Sequence, residues 1–358
     1  MPDWTKSMQQ TFEYYIVDPG TWKDVRRLDL VKSCSISWDS DTDTLGSATI
    51  DVVDSLGECY IRTYLVTIQN GVVERHPLGT FMSQTPSSDF DGKVRTVSMD
   101  AYTPLIELKE KQPPIGFFIP KGNNIMTKAY EITRENLRAP VIPANSTDTL
   151  NYDFVSDTEE TWVSFLKDLM ANAKYSFSLD EMGRVLFSPI QDMASLQPVY
   201  TFDDSNSSIL YSEISMKHDL YGLPNVVEVI YSNGSGNYYA KVVNDDPSSP
   251  ISTVSRGREI VYRDTNPSIF EMPTSDPKDA QTYITQYAER LLKELSSIEY
   301  TISYTHGYCG NRLGDCVRLN YKRAGIDNIK AKVISQTIKC EPGCPVKEKA
   351  VFTAKLWG

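Results

Sequence analysis

The sequence predicts a β-rich α+β protein: two antiparallel β-barrels, a small α+β domain between them, and a helical insertion in the second barrel. Three observations carry this. The 21 Tyr and 20 Pro among 358 residues favour strands and constrained loops over long helices. Short runs rich in β-branched and aromatic residues recur with Gly, Pro, Asn and Asp between them. Only a few stretches repeat apolar residues at helical spacing.

Residues 1–110 read as the first barrel. Strands are expected at Phe12–Val17, Cys34–Trp38, Ser47–Val53 and Tyr60–Ile68. Asp18-Pro-Gly20, the acidic run Asp39–Asp43 and Gln69-Asn-Gly71 separate them, the last being an Asn-Gly pair suited to a tight hairpin. Leu78 to Leu108 then reads as a hairpin followed by a short apolar helical end. Its arms carry Leu78, Phe81 and Met82, then Val94, Val97, Met99 and Ala101, and Pro86–Gly92 supplies the turn. Short strands with turns at this spacing suit a closed or nearly closed antiparallel barrel.

Residues 111–205 read as the small α+β domain, entered through the Pro-rich segment Lys111–Pro120. Gly122-Asn-Asn124 precedes Ile125, Ala129 and Ile132 at helical spacing. Asp157-Thr-Glu-Glu160 is expected to cap a second helix through Trp162, Phe165, Leu166, Leu169 and Met170. A hairpin of Tyr175–Leu179 and Arg184–Phe187 follows, turning at Asp180–Gly183.

The second barrel is expected at 206–262 and 297–358, with a helical insertion at 263–296. Its strands are Ile209–Met216, Val226–Tyr231, Tyr238–Val243, Glu259–Tyr262, Ile298–Tyr304, Cys316–Tyr321, Ile329–Ile338 and Ala350–Leu356. The inserted helix is capped by Ser275 or Asp276, begins at Pro277, and presents Ala280, Tyr283, Ile284, Tyr287, Leu291 and Leu295 as one apolar stripe.

Charge narrows the function classes. With 47 acidic against 36 basic residues, the net charge of −11 repels a phosphate backbone and argues against sequence-specific nucleic-acid binding. The N-terminus has no basic region followed by an apolar one, and no run approaches the ~18 apolar residues of a membrane span. Cys34, Cys59, Cys309, Cys316, Cys340 and Cys344 are too sparse for a disulfide scaffold and are expected as reduced thiols of a protein made in a cytoplasm.

No local pattern asks for catalysis, a cofactor or a metal. His-Glu-x-x-His, Gly-x-Ser-x-Gly, a phosphate-cradling loop and a dinucleotide fingerprint are missing from the sequence. His76, His218 and His306 each fall in or beside an expected strand, as surface or satisfied buried histidines do. Glu159-Glu160 sits where a helix dipole already favours acid. Cys340-Glu-Pro-Gly-Cys344 with Cys309 and Cys316 has poor spacing for zinc, and Pro-Gly serves a plain turn equally well. Tyr14-Tyr15 and Tyr238-Tyr239 could stack a sugar or a base, but alternation along a strand more simply sends one ring inward and its neighbour outward.

Several passages, taken together, carry a resemblance. Leu78-Gly-Thr-Phe81 with Asp91-Gly92 and Asp100-Ala-Tyr102, the helix and hairpin from Trp162 to Pro189, Asn225-Val-Val-Glu-Val-Ile230, Val333-Ile-Ser-Gln-Thr337, and the closing strands from Cys340 to Trp357 resemble the tail hub or baseplate hub family of long-tailed bacteriophages. This family includes the late control protein D type and hubs of prophages and phage-derived bacteriocins. The resemblance implies tube-protein-like barrels and a homotrimeric structural component of the virion tail, assembled in the host bacterial cytoplasm. Such a trimer caps the tail tube and adapts its six-fold symmetry to a three-fold spike or fibre.

Its implied partners are the tail tube or distal tail protein, the tape measure protein, and a spike or tail fibre protein. DNA would pass through a central channel without specific binding, eased by an acidic lumen. No enzymatic activity is expected: many members of the family carry a hydrolase or fibre-binding extension after the last barrel, and with the sequence ending at Gly358 none is expected here. Two alternatives stand beside this reading. One is a tail-associated peptidoglycan or polysaccharide hydrolase whose carboxylates meet only on folding. The other is a carbohydrate-binding tail accessory protein.

Overall fold

Period-two alternation governs the first strands, and the computed structural model shows where each inward residue goes. It describes residues 2–53, 56–90, 92–93, 95–233, 236–265, 267 and 277–357. The chain forms two units, Met1–Ile214 with Ser303–Ala350, and Ser215–Ile302 with Val351–Gly358.

The first unit opens with β1 (Gln9–Val17), β2 (Asp24–Arg27), β3 (Val31–Asp39), β4 (Gly46–Val52), β5 (Tyr60–Gln69), β6 (Val72–Phe90) and β7 (Arg95–Tyr102), all paired antiparallel. Cys34, Ile36 and Trp38 of β3, Ala48, Ile50 and Val52 of β4, and Leu78 and Phe81 of β6 share one buried core with Tyr14 of β1. Asn70 and Gly71 both take positive φ, 52° and 80°, which gives the β5–β6 hairpin the tight turn its Asn-Gly pair predicts. Gly79 is required for packing, since a Cβ there would lie 2.4 Å from the Phe81 ring and 3.0 Å from Trp38.

The β6–β7 hairpin differs from expectation. Pro86–Phe90 remain in the strand, and a register shift between Ser83 and Pro86 accommodates the proline, whose missing N–H is tolerated at a bulge. The last pair of the hairpin is Phe90 with Arg95, and Asp91 and Val94 between them lie outside the described residues. Val97, Met99 and Ala101 are buried as expected.

Helix α1 (Ile106–Glu110), β8 (Phe118–Ile119), α2 (Ile125–Asn136), β9 (Phe154–Val155), α3 (Trp162–Ala171) and the hairpin of β10 (Tyr175–Leu179) and β11 (Val185–Pro189) enclose a second apolar core. Asn124 caps α2 by accepting the Thr127 N–H at 2.9 Å. The cap of α3 is Thr161, which accepts the Ser164 N–H, and not the expected Asp157. Glu160 instead accepts the Asp157 N–H at 3.1 Å, so the carboxylate half of the expected box forms four residues ahead of the cap's own turn.

β12 (Tyr200–Asp203) is a strand the sequence reading left out. β13 (Leu210–His218) leads to β14 (Val226–Asn233), β15 (Gly236–Val243), the short α4 (Thr253–Arg256), β16 (Val261–Thr265) and α5 (Pro277–Leu295). Strands β14–β16 were expected in the second barrel, yet they hydrogen-bond among themselves, β15 antiparallel and β16 parallel to β14. Their inner face, Val227, Val229, Tyr238 and Ala240, packs on Ala280, Ile284, Tyr287, Ala288 and Leu292 of α5. Tyr283 is 38% exposed, and the buried stripe runs through Ala288 and Leu292 instead. The expected caps Ser275 and Asp276 lie outside the described residues.

β17 (Ser297–Gly307), β18 (Cys316–Tyr321), β19 (Ile326–Lys339) and β20 (Pro345–Lys355) complete a 13-stranded sheet. Its path runs β13-β17-β20-β19-β3-β4-β7-β6-β5-β1-β2, with β18 antiparallel to β19 and β12 parallel to β18. The pairing of β3 with β19, from Asp39 opposite Ser335 to Ser35 opposite Lys339, joins the N-terminal strands to the C-terminal ones.

Candidate functional site

Three neighbouring C-terminal strands place polar groups on their buried faces. In β17, Ile302, Tyr304 and His306 share one buried parity; in β20, Val346, Glu348 and Ala350 do. His306 and Glu348 are both fully buried. The Glu348 carboxylate accepts hydrogen bonds from Tyr304 Oη at 2.5 Å, from Asn311 Nδ2 at 2.6 Å and from the Gln336 amide of β19. His306 Nε2 lies 3.3 Å from Glu348 Oε1, and Nδ1 lies 2.7 Å from the Gly307 carbonyl.

Burial opposes charge on His306, but contacts with Cys309 and Glu348 outweigh it and push the imidazole up to about 10. Burial alone would raise Glu348, yet His306 and the donors around it hold its carboxyl below the ordinary value. Burial and the Glu348 charge keep Tyr304 protonated. The cluster is therefore a buried ion pair, with its carboxylate accepting hydrogen bonds from three other stretches of chain. Acid, base and phenol stand together here, but they face one another and no surface on which a substrate could rest.

The other titratable candidates are dispersed. His76, on β6, lies 3.2 Å from Thr67 Oγ1 and edge-on to Trp4, and burial depresses its pKa. His218 packs against the Tyr300 ring. All six cysteines are free: Cys309 sits beside Asn311 and His306, Cys316 is buried on β18, and Cys34, Cys340 and Cys344 gather at the first core. The four cysteines weighed as zinc ligands thus do not converge, and among the described residues no group of His, Cys, Asp and Glu has metal-site geometry. Tyr14 and Tyr238 point inward, while Tyr239 is half-exposed.

Two buried joints escaped the sequence reading. Arg62, fully buried within β5, donates to Asp24 at 2.7 Å, to Thr80 at 2.9 Å and to the Met182 carbonyl at 3.0 Å, while Trp22 Nε1 donates to the same carbonyl at 2.7 Å. Glu107 accepts from Tyr60 at 2.5 Å and from Arg138 Nε at 2.6 Å. Together they fasten the β10–β11 turn and the start of α1 to the first sheet. An arginine inside the run Tyr-Ile-Arg-Thr-Tyr-Leu-Val was the available signal, since a buried strand tolerates it only with partners.

A cleft of about 280 Å³ lies among Trp4, Lys6, Met8, Gln10, Tyr308 and Pro342. It falls short of the roughly 300–1,000 Å³ usual for small-molecule sites. Among the described residues, β2 is exposed along its length at one end of the sheet path. At the other end, the first residues of β13 are exposed, with Tyr211 among them. Unpaired strand edges are templates for association between chains.

No protein-family model and no curated protein sequence matches the chain. Solved structures do. The tail protein from Neisseria meningitidis MC58 is similar with a TM-score of 0.60 and 12% identity, over 96% of this chain and 97% of that one. The 43 kDa tail protein of prophage MuSo2 from Shewanella oneidensis is similar with a TM-score of 0.60 and 10% identity, over 95% of this chain and 98% of that one. At such identities the likeness is one of architecture, and it extends nearly end to end: this chain has a tail-protein fold.

Proposed function

We propose that this protein is a structural component of a phage-type tail, and within it the trimeric hub that caps the tail tube. The observation that carries the reading is the end-to-end likeness of fold to two tail proteins. In this reading the sheets around Ile36 and around Tyr304 are the two tube-protein-like barrels, three chains present six of them as a ring, and heterologous contacts close it. The ring meets the tail tube or distal tail protein and the tape measure protein on one face and a spike or fibre on the other, with DNA passing through the centre. Exposed sheet edges and a net charge of −11 fit a part that assembles by its edges and does not grip DNA. The enclosure of His306 and Glu348 supports a non-enzymatic role, because the one acid–base cluster described above is spent on the fold.

The test is mass in solution by light scattering, followed by negative-stain images. Particles of three times the 40.4 kDa chain mass, seen as three-fold rings with a channel, are expected. A persistent monomer that releases sugars from bacterial cell walls would overturn the proposal in favour of a hydrolase.

A further inference from the structure

The seam between β3 and β19 continues one step beyond its last strand pair. Ser35 lies opposite Lys339, and the next residues, Cys34 and Cys340, are joined by a backbone hydrogen bond of 3.0 Å from Cys340 N–H to the Cys34 carbonyl. Their side chains share the first core with the Tyr14 ring. Cys34 is buried in the first core and Cys340 is partly exposed. Cys344, fully buried, lies behind them. Directly opposed residues of an antiparallel pair have Cα atoms ~4.5–5.5 Å apart, inside the ~4.4–6.8 Å span that a disulfide bridges.

We infer that Cys34 and Cys340 form a modification site, a dithiol that closes to a cross-strand disulfide when the protein leaves a reducing cytoplasm for surroundings that hold a low-molecular-weight disulfide. Cys340 reacts first because it is the less buried residue of the two. Its thiolate attacks glutathione disulfide, the S–S bond of the reagent breaks, a Cys340–glutathione mixed disulfide forms and one glutathione thiolate leaves. Cys34, losing its proton to solvent, attacks the Cys340 sulfur, and the second glutathione leaves. Two protein thiols have then given up two electrons and two protons, and glutathione disulfide has been reduced to two thiols.

The neighbouring Cys34 and burial hold the Cys340 thiol well above its ordinary pKa, so closure is slow near neutrality and quickens as pH rises. The bond would sit on the pairing that joins the N-terminal strand set to the C-terminal one in the sheet path. It would tie residues far apart in sequence, where a cross-link constrains the unfolded chain most.

The test incubates the full-length folded protein with glutathione disulfide at pH 8.5, then denatures, alkylates and maps peptides by mass. The expected result is loss of two of the six alkylatable thiols, one linked peptide pair containing Cys34 and Cys340, and a higher Tm that dithiothreitol reverses. Cys34→Ser should stop at glutathione-modified Cys340, and Cys344→Ser should retain the link. Six thiols still alkylatable after prolonged incubation, or a Cys340–Cys344 bond in the wild-type map, would overturn the inference.

Discussion

The core around Ile36 and Phe81 and the one around Phe202 and Tyr304 belong to one sheet but are closed by different means. The first is filled mainly with aliphatic and aromatic side chains, joined by thiols and Tyr14. The second packs Phe202 against Tyr304 and His306 with tilted rings and contains the His306–Glu348 ion pair. An apolar core tolerates small losses in any direction, whereas a buried pair holds only while both partners and their donors stay in place. Removing one partner is therefore the sharpest way to separate them. Glu348→Ala strands a buried imidazole and removes the acceptor that Tyr304, Asn311 and Gln336 share, and should cost about 3–5 kcal/mol in urea unfolding. A cost below about 1 kcal/mol would mean that water already reaches the pair.

The same comparison predicts a milder loss in the apolar core. Leu78→Ala should cost about 2–5 kcal/mol, set by how far Phe81 and Trp38 collapse into the space, and the cost should be the same at every pH where the protein is folded. The polar core, by contrast, carries a pH signature. His306 is raised from 6.5 to about 10, so its contribution is fully present below pH 6.5 and is lost as pH climbs through about 10. Glu348 is lowered from 4.5, so its contribution is present above pH 4.5 and is lost as pH falls through its depressed value. Unfolding free energy attributable to the pair should be greatest between pH 4.5 and 6.5 and decline towards pH 10. Replacing both partners, His306→Leu with Glu348→Leu, should remove that slope and cost less than Glu348→Ala alone, because no imidazole is then left buried without its carboxylate. A slope that survives in the double variant would assign it to other groups.

The difference between the two cores also explains how far the sequence could be read. Strand alternation, the Asn70-Gly71 turn, the stripe of α3 and the β10–β11 hairpin were legible because each is encoded within a dozen residues. The strand through Pro86 was not, because the bulge that admits the proline depends on its partner strand. Nor was β12, whose parallel pairing with β18 joins residues more than a hundred positions apart. The buried cluster draws on positions 304, 306, 311, 336 and 348, and Val-Lys-Glu-Lys-Ala reads as a solvated charged strand. Its trace was there in parity: Glu348 alternates in step with Val346 and Ala350, and His306 with Ile302 and Tyr304. A charge on the apolar parity of a strand is the signal to follow.

The smallest effect concerns the α+β core, which resembles the first in being apolar and adds a helix terminus as its point of control. Thr161 accepts the Ser164 N–H at the start of α3, whose Trp162, Phe165, Leu166 and Leu169 are the centre of that core. Thr161→Ala frees one of the four unpaired N–H groups of the first turn and should cost about 0.5–2 kcal/mol. Thr161→Asp should retain most of the stability, because a carboxylate at the same position accepts the same N–H and favours the helix dipole. Glu160→Gln, which keeps an acceptor for the Asp157 N–H but lies ahead of the cap, should change stability by less than Thr161→Ala. If Glu160→Gln instead proves the more damaging of the two in thermal unfolding, the acidic segment controls the start of α3, and the helix begins as the sequence pattern alone suggested.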